Sequence, residues 1–347
     1  CLGDRRMIPR LFVTNFNRNF TGVSATAANV VRVQAKRHDL SLVGQPLPNC
    51  PAPIEPAQAR YGSRGVTPFA IWHVRRNTEM RAAILARDVL RLPIKIVFTS
   101  AAQRRHSAVP RWLISRMDAV IATTDAAATH VPNVRAVVPH GVDTDMFTPA
   151  KNRWVAWGKT GFGGQKGIAT IGRIRPEKGT DVFVDAMLRL LPQQPDSTAL
   201  IIGKATREHQ SFLDGLKAKV ASAGLSERIL FIGEVPAAEL PALMQSLSLI
   251  MQMPRYEGFG MVPLEGMASG VPFVATDAGS YRAFSDEGRT GTIVQDATDA
   301  SDAAAKILRS HHEAMAAHAR IIAQTCFSSE QEADGIDAVY QMLLTET

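Results

Sequence analysis

The sequence predicts an α/β protein made of two consecutive doubly wound, Rossmann-like domains. Short, almost uninterrupted apolar runs recur along the chain with helical stretches between them, which is the pattern of parallel strands covered on both faces. The series stops at a polar, glycine-rich stretch and then begins again. The chain of 347 residues is too long for one ordinary core and suits two of about 150 residues each.

In chain order, residues 11–13 form the first expected strand and 22–33 the helix after it. Residues 40–43, 69–72, 94–98, 119–122 and 134–138 continue the strands of the first half. Residues 46–56 hold five prolines, which fix φ and remove donors, so this stretch reads as a loop. Residues 149–166, with Gly158, Gly161, Gly163 and Gly164, read as the connection. A second series follows at 167–172, 198–203, 229–233, 247–251, 272–276 and 291–294, with helices over 180–191 and 209–223. The Ala-rich segment 300–347 reads as helical. The expected organisation is a first domain over 1–150, a linker over 151–166, a second domain over 167–325, and a final helix over 326–347 packing back on the first domain. Ligands of such sheets sit outside the carboxyl ends of the strands.

Apolar content of 46% with 20% charged residues describes a globular chain, neither disordered nor embedded in a membrane. No apolar run nears the roughly 18 to 20 residues that span a bilayer, and no secretory signal is recognisable. Cys1, Cys50 and Cys326 lack metal-ligand spacing and read as free thiols of a reducing cytoplasm. Because the first residue is Cys1, the natural start is expected upstream or at Met7.

Charge divides the chain. Residues 1–150 hold 20 Lys and Arg against 9 Asp and Glu, and residues 151–347 hold 19 against 23. A basic half suggests an anionic partner, and by charge alone nucleic acid, an anionic membrane surface or a phosphorylated acceptor all fit. The plainer alternative is an arginine-rich solvated face.

Two segments carry chemistry. GRIRPEKGT, residues 172–180, follows an expected strand and opens an expected helix. Arg173 and Lys178 there set two cations beside a helix N-terminus, an arrangement suited to a diphosphate, although a solvated charged turn is an equal alternative. The second segment is RYEGFGMVPLEGMASGVP, residues 255–272. Gly258 and Gly260 let backbone approach a ligand, so the amides around Phe259 and Met261 can cradle an anion. Glu257 precedes the expected helix and Glu265 lies in its first turns. In so apolar a setting both carboxylates need partners, such as the hydroxyls of a sugar and of a ribose. GFGGQKG, residues 161–167, imitates a dinucleotide fingerprint but lacks the strand before and the helix after, so it reads as linker.

These residues resemble the retaining GT-B-fold glycosyltransferases of family four, the glycosyl transferases group 1. The resemblance rests on Arg173 and Lys178 in the first segment and on Glu257 and Glu265 in EGFGMVPLE. It also rests on VPHGVDTDMF, residues 138–147, similar to a pre-linker motif in which His140 stands at the usual Asn. It implies two Rossmann-like domains facing across a cleft. Arg173, Lys178 and Glu257 would be catalytic, with Arg173 and Lys178 on the donor diphosphate, Glu265 on the ribose and Glu257 on the transferred sugar. Gly258, Phe259, Gly260 and Met261 would touch sugar and phosphate, Val235 would flank the base, and Gly22 would stand in a glycine-rich first loop. His73, Arg75, Arg104 and Arg105, after strands of the first half, would face the acceptor. The histidine many relatives carry near Thr99 or Ser100 is absent here.

The resemblance further implies a metal-independent hexosyl transfer with no cofactor beyond the nucleotide-sugar substrate. FTSAAQRRHS and RWLI, residues 98–107 and 111–114, are similar more narrowly to lipopolysaccharide core mannosyltransferases of alphaproteobacteria. That implies GDP-mannose as donor, an anionic glycolipid acceptor, and a cytoplasmic enzyme, peripheral on the inner membrane surface, with no nucleic-acid partner. The alternatives are a UDP-sugar-dependent transferase or synthase acting on a small soluble sugar, and a non-catalytic nucleotide-sugar-binding protein.

Overall fold

The computed structural model describes residues 8–346. Cys1 and Met7, on which the expectation about the natural start rests, lie outside them. The chain divides into two compact units, Cys1–Gly141 with Phe327–Thr347, and Val142–Cys326.

Unit one is a six-stranded parallel sheet of β1 (Leu11–Asn15), β2 (Leu40–Gly44), β3 (Ala70–Val74), β4 (Ile94–Ser100), β5 (Ala119–Ala122) and β6 (Val134–Val137), ordered β2-β1-β3-β4-β5-β6. Side chains alternate across it, as a pleat requires. Phe12, Trp72, Val74, Ile96 and Val120 pack on one face with Met80, Leu113 and Ile114 of the helices Asn77–Ile84 and Ala108–Ser115. Leu11, Val13, Ile71, Val97 and Ile121 pack on the other, against Val30 and Val31 of the helix Gly22–Gln34 and Ile336, Val339 and Tyr340 of the final helix Ser329–Thr345. That last helix is pinned by polar contacts as well. Glu332 accepts from His140 Nδ1 and from the Gly141 amide, each at 2.7 Å, and Asp337 accepts from Gln34 at 2.7 Å.

Unit two holds β7 (Lys166–Ile171), β8 (Ser197–Ile202), β9 (Ile229–Gly233), β10 (Leu249–Gln252), β11 (Phe273–Thr276) and β12 (Gly291–Val294), all parallel and ordered β12-β11-β10-β7-β8-β9. Its first strand lies centrally, with successive strands adding first on one side and then on the other, the doubly wound order of a dinucleotide-binding sheet. Ile168, Leu249, Met251 and Val274 pack with Phe183, Val184 and Met187 of the helix Thr180–Leu190.

The segment expected as an irregular connection contains a helix, Arg153–Gly158. Asn152 caps it by accepting from the Val155 amide at 3.1 Å, and Trp157 is buried over Gly167, where a Cβ would come within 2.2 Å of the ring. The glycines of 161–167 draw attention to a linker, but before them Asn152 supplies an N-cap and Trp157 a buried anchor for a helix.

Candidate active site

In each unit the strand order reverses at one place, and there the loops leaving two neighbouring strands diverge and open a crevice. In unit two that place lies between β7 and β10, and the sequence-flagged segments leave those two strands.

β7 ends at Ile171 and Gly172 follows it, Arg173 is exposed, and Ile174 turns back into the core with its amide donating to Lys204 O at 3.1 Å. Pro176–Lys178 forms a short 3-10 turn that delivers the chain to Gly179, which caps the next helix at φ +67°. A Cβ on Gly179 would come within 1.6 Å of Met253 O, so glycine alone lets this turn meet the chain leaving β10. Arg255 ties the two strand ends further, reaching Asp181 with both Nη atoms at 2.9 and 2.7 Å and donating its amide to Glu177 O.

This approach sets Lys178 Nζ 2.7 Å from Glu257 Oε2, with both side chains only about a fifth exposed (23% and 21%). Glu257 Oε1 accepts from the Gly258 amide at 3.0 Å. Gly260, at φ +92°, precedes the helix Met261–Ala268, and its missing Cβ leaves room for Tyr281 Cε1 at 2.2 Å. The first amides of that helix have no intrahelical acceptor and carry its positive dipole end. Glu265 lies one turn in, half-buried, and loss of water pushes its carboxyl up to about 7. Burial, then Glu257 and Glu265, raise the Tyr281 hydroxyl far above its ordinary value.

The loop after β11 closes over this group, and sequence reasoning missed it. The Ser280 amide donates to Phe259 O at 2.9 Å, and a Cβ on Gly279 would meet that same oxygen at 2.5 Å. Ser280 Oγ is buried without a hydrogen-bond partner among the described residues. A Gly-Ser pair three residues beyond a strand was the available signal.

Arg173, Lys178, Glu257, Gly258, Phe259, Gly260, Met261 and Glu265 are thus brought together at one strand-end crevice. Val235 is placed apart. Its side chain lines a cavity of about 720 Å³ with Val155, Phe162, Ile232 and Leu243, beyond the edge strand β9. Among the described residues no group of three or more His, Cys, Asp or Glu is placed to hold a metal.

In unit one the reversal falls between β1 and β3. Gly22 is exposed and opens its helix there. Glu79, fully buried, accepts from the amides of Phe16, Arg75 and Arg76, and Arg76 extends across to Asn15, Ser24 and Thr21 at 2.9, 2.9 and 3.2 Å. Arg76 is therefore a strap across the switch point. His73 is fully buried, with Nδ1 2.5 Å from Tyr340 Oη and Nε2 2.7 Å from Thr99 Oγ1. Both ring nitrogens are engaged within the unit, and burial, then Arg75 and His140, hold its pKa well below the ordinary value. Arg75 is only 8% exposed, and Nε, Nη1 and Nη2 all lack a hydrogen-bond partner among the described residues. Arg104 and Arg105 are exposed on the loop after β4.

Two doubly wound units of these strand orders, the second with two carboxylates and two cations at its switch point, define a glycosyltransferase of the GT-B class. Residues 157–326 match the family model described as glycosyl transferases group 1. The chain is 40% identical over 343 residues to the lipopolysaccharide core biosynthesis mannosyltransferase LpsB of Rhizobium meliloti (strain 1021), covering 95% of this chain and 96% of that protein. It is 39% identical over 351 residues to LpcC of Rhizobium leguminosarum bv. viciae, of the same description, covering 96% of each. Among solved structures, Alr3699/HepE of Anabaena in complex with UDP matches with a TM-score of 0.80 at 17% identity, over 96% of this chain and 99% of that one. The chain belongs to the group 1 glycosyl transferases and is a hexosyl-transferring enzyme.

Proposed function

We propose that the enzyme transfers mannose from GDP-mannose to an anionic glycolipid of the lipopolysaccharide-core kind, with retention of configuration and without a metal. The observation that carries the donor half is the convergence of Arg173, Lys178, Glu257 and the amides before Met261 at the β7/β10 switch point. Lys178 and Glu257 neutralise each other in the ligand-free chain. An arriving diphosphate competes for Lys178 and frees Glu257 to accept from sugar hydroxyls. Arg173, exposed, supplies the first cation. Charge developing on the departing diphosphate is then met by fixed cations and helix amides. The acceptor hydroxyl attacks from the face the leaving group vacates, and a phosphate oxygen takes its proton.

Mannose and an acceptor of the lipopolysaccharide-core kind are supported by the two rhizobial relatives, both lipopolysaccharide core biosynthesis mannosyltransferases. The anionic surface is supported by residues 81–116, which hold eight Lys and Arg and one Asp, a net charge equal to that of the whole chain, +7. Arg87 and Arg116 join two segments of this stretch through Asp88, each at 2.7 Å. Around them Leu85, Val89, Leu90, Val109 and Trp112 are 44–66% exposed, and Arg81, Arg91, Arg105 and Arg111 are exposed beside them. Apolar tips among arginines suit a membrane interface bearing acidic lipids. No helix among the described residues is long and apolar enough to cross a membrane.

The test is thermal unfolding with and without EDTA in the presence of GDP, GDP-mannose, UDP and UDP-glucose, followed by an NMR assignment of the product's anomeric configuration. A ligand at 100 times its dissociation constant stabilises by about 2.7 kcal/mol. A response confined to UDP species discards mannose, and one lost in EDTA discards the metal-free mechanism. The UDP reading has its own support, since the HepE structure is described as a complex with UDP. Sedimentation with vesicles containing phosphatidylglycerol, but not with phosphatidylcholine vesicles, checks the basic face.

A further inference from the structure

We propose that Arg75 is the anchor of an oxyanion subsite at the carboxyl edge of the unit-one sheet, where it receives a carboxylate or phosphate of the sugar acceptor. This rests on the reading that the enzyme glycosylates an anionic acceptor.

Arg75 stands one residue beyond β3, at the switch point of its sheet. Its guanidinium offers five N–H donors in a planar fork, and none has a partner among the described residues. Two carboxylates come near enough to act on it electrostatically, Glu332 and Glu79. Both are occupied elsewhere. Glu332 holds His140 and the Gly141 amide, and Glu79 holds three backbone amides and Arg76. The Tyr340 hydroxyl is held by His73. The cation is therefore enclosed but unanswered, a state proteins rarely keep without use because a buried charge needs a partner.

A second orphan lies on the same side of the sheet. His73 reaches Thr99, Thr99 pairs in register with Ile121, and Thr123 comes one pleat further along on that face. Thr123 is 1% exposed and its Oγ1 also lacks a partner among the described residues. Strands β3 and β5 are separated by β4 alone, about 10 Å apart at the usual strand spacing, which a long side chain and one oxyanion bridge. A guanidinium fork with a hydroxyl opposite suits a carboxylate or a phosphate, and a neutral sugar hydroxyl would leave most of the donors empty.

The experiment uses the full chain with Arg75→Met and Arg75→Lys, each also in an Arg173→Ala background that removes one of the two competing cations of unit two. Inorganic phosphate is the binding probe, and the kinetic probe is a pair of acceptors, an acidic sugar and the same sugar with its carboxylate reduced to the alcohol. Phosphate should raise the melting temperature of the Arg173→Ala protein, and Arg75→Met should abolish that rise while raising the ligand-free melting temperature, since it removes an unpaired buried charge. The KM advantage of the acidic acceptor over its reduced analogue should be about tenfold or more, as for loss of a charged hydrogen bond. Arg75→Met should collapse that ratio toward one, and Arg75→Lys should restore it in part. If Arg75→Met lowers the ligand-free melting temperature and leaves the phosphate response intact, Arg75 is a structural cation and the proposal falls. Equal KM values for the two acceptors on the unaltered enzyme also overturn the subsite, with the transferase reading standing. Phosphate binding at Arg75 without transfer to either acceptor instead overturns that reading of the acceptor and leaves the oxyanion subsite.

Discussion

The two switch points solve the problem of housing charge in opposite ways. In unit two the half-buried Lys178 meets Glu257, the exposed Arg255 meets Asp181, and the partners come from two short segments. In unit one the counterpart cation, Arg75, is enclosed with no partner among the described residues, while its neighbours bond across most of the chain, His73 with Tyr340 and His140 with Glu332. A paired site is stable when empty and must exchange partners to bind. An unpaired site is held under electrostatic cost and gains when filled. The first suits a nucleotide diphosphate, and the second suits an anion that arrives on the substrate receiving the sugar.

The largest effect should come from breaking the pair in unit two. Lys178→Ala removes a cation from the developing charge on the leaving diphosphate, and kcat should fall about 10²- to 10³-fold, the loss typical of one preorganised donor. Glu257→Gln should cost less than the additive sum when combined with it, because each single change already breaks the 2.7 Å contact. Steady-state kinetics of the two single variants and the double variant read this directly. Near-normal turnover of Lys178→Ala would sink the donor assignment.

Next is the turn that brings the pair together. Gly179→Ala faces both φ +67°, which costs an L-residue roughly 1–2 kcal/mol, and a Cβ 1.6 Å from Met253 O that only a backbone shift relieves. Urea unfolding should show a loss of more than about 2 kcal/mol, together with weakened nucleotide binding. Unchanged stability would mean that the β7 and β10 loops do not meet as described.

In unit one the corresponding test is Tyr340→Phe, which leaves the buried His73 Nδ1 without its 2.5 Å partner. The expected cost is about 1–3 kcal/mol, the penalty of one unsatisfied buried polar group. Because the partners lie on β3 and the final helix, the loss should appear in hydrogen exchange of those two elements.

The same contrast governs what could be read from the sequence. The unit-two group was legible because glycines, prolines and charges sit within nine residues of one another in 172–180 and again in 257–265, where local turn chemistry fixes their placement. The twelve strands of the described residues could be located for a like reason, since most of them are apolar runs buried on both faces. Glu79, Glu332 and Tyr340 were not legible as site residues, because their roles depend on which strand ends the sheet order brings together. Nor could His73 be told apart from a ligand-facing histidine, since only the fold shows both its nitrogens engaged. The helix Arg153–Gly158 was hidden by the glycines that follow it.

The smallest effect, and the one that most sharpens the contrast, concerns a group that unit two holds against its ordinary charge state. Burial raises the Glu265 carboxyl to about 7. In the unfolded chain it ionises near the ordinary glutamate value, so between that value and about 7 the folded chain binds the extra proton. This term therefore lowers stability as pH rises through that window. Nucleotide binding has the opposite sign, because an ionised Glu265 accepts from two ribose hydroxyls where the protonated form accepts less well. A group titrating near 7 is about one-eleventh ionised at pH 6 and ten-elevenths at pH 8, so if only the ionised form binds, affinity rises by about tenfold across that interval. The terminal phosphate of the nucleotide titrates near pH 6 as well, and its contribution is removed by comparison with Glu265→Gln, which keeps the shape and cannot ionise. Calorimetric titration with GDP at pH 6 and 8 should show the rise in the unaltered enzyme and a smaller one in the variant. Identical pH dependence in both would place the ribose elsewhere and leave the raised carboxyl as a feature of packing alone.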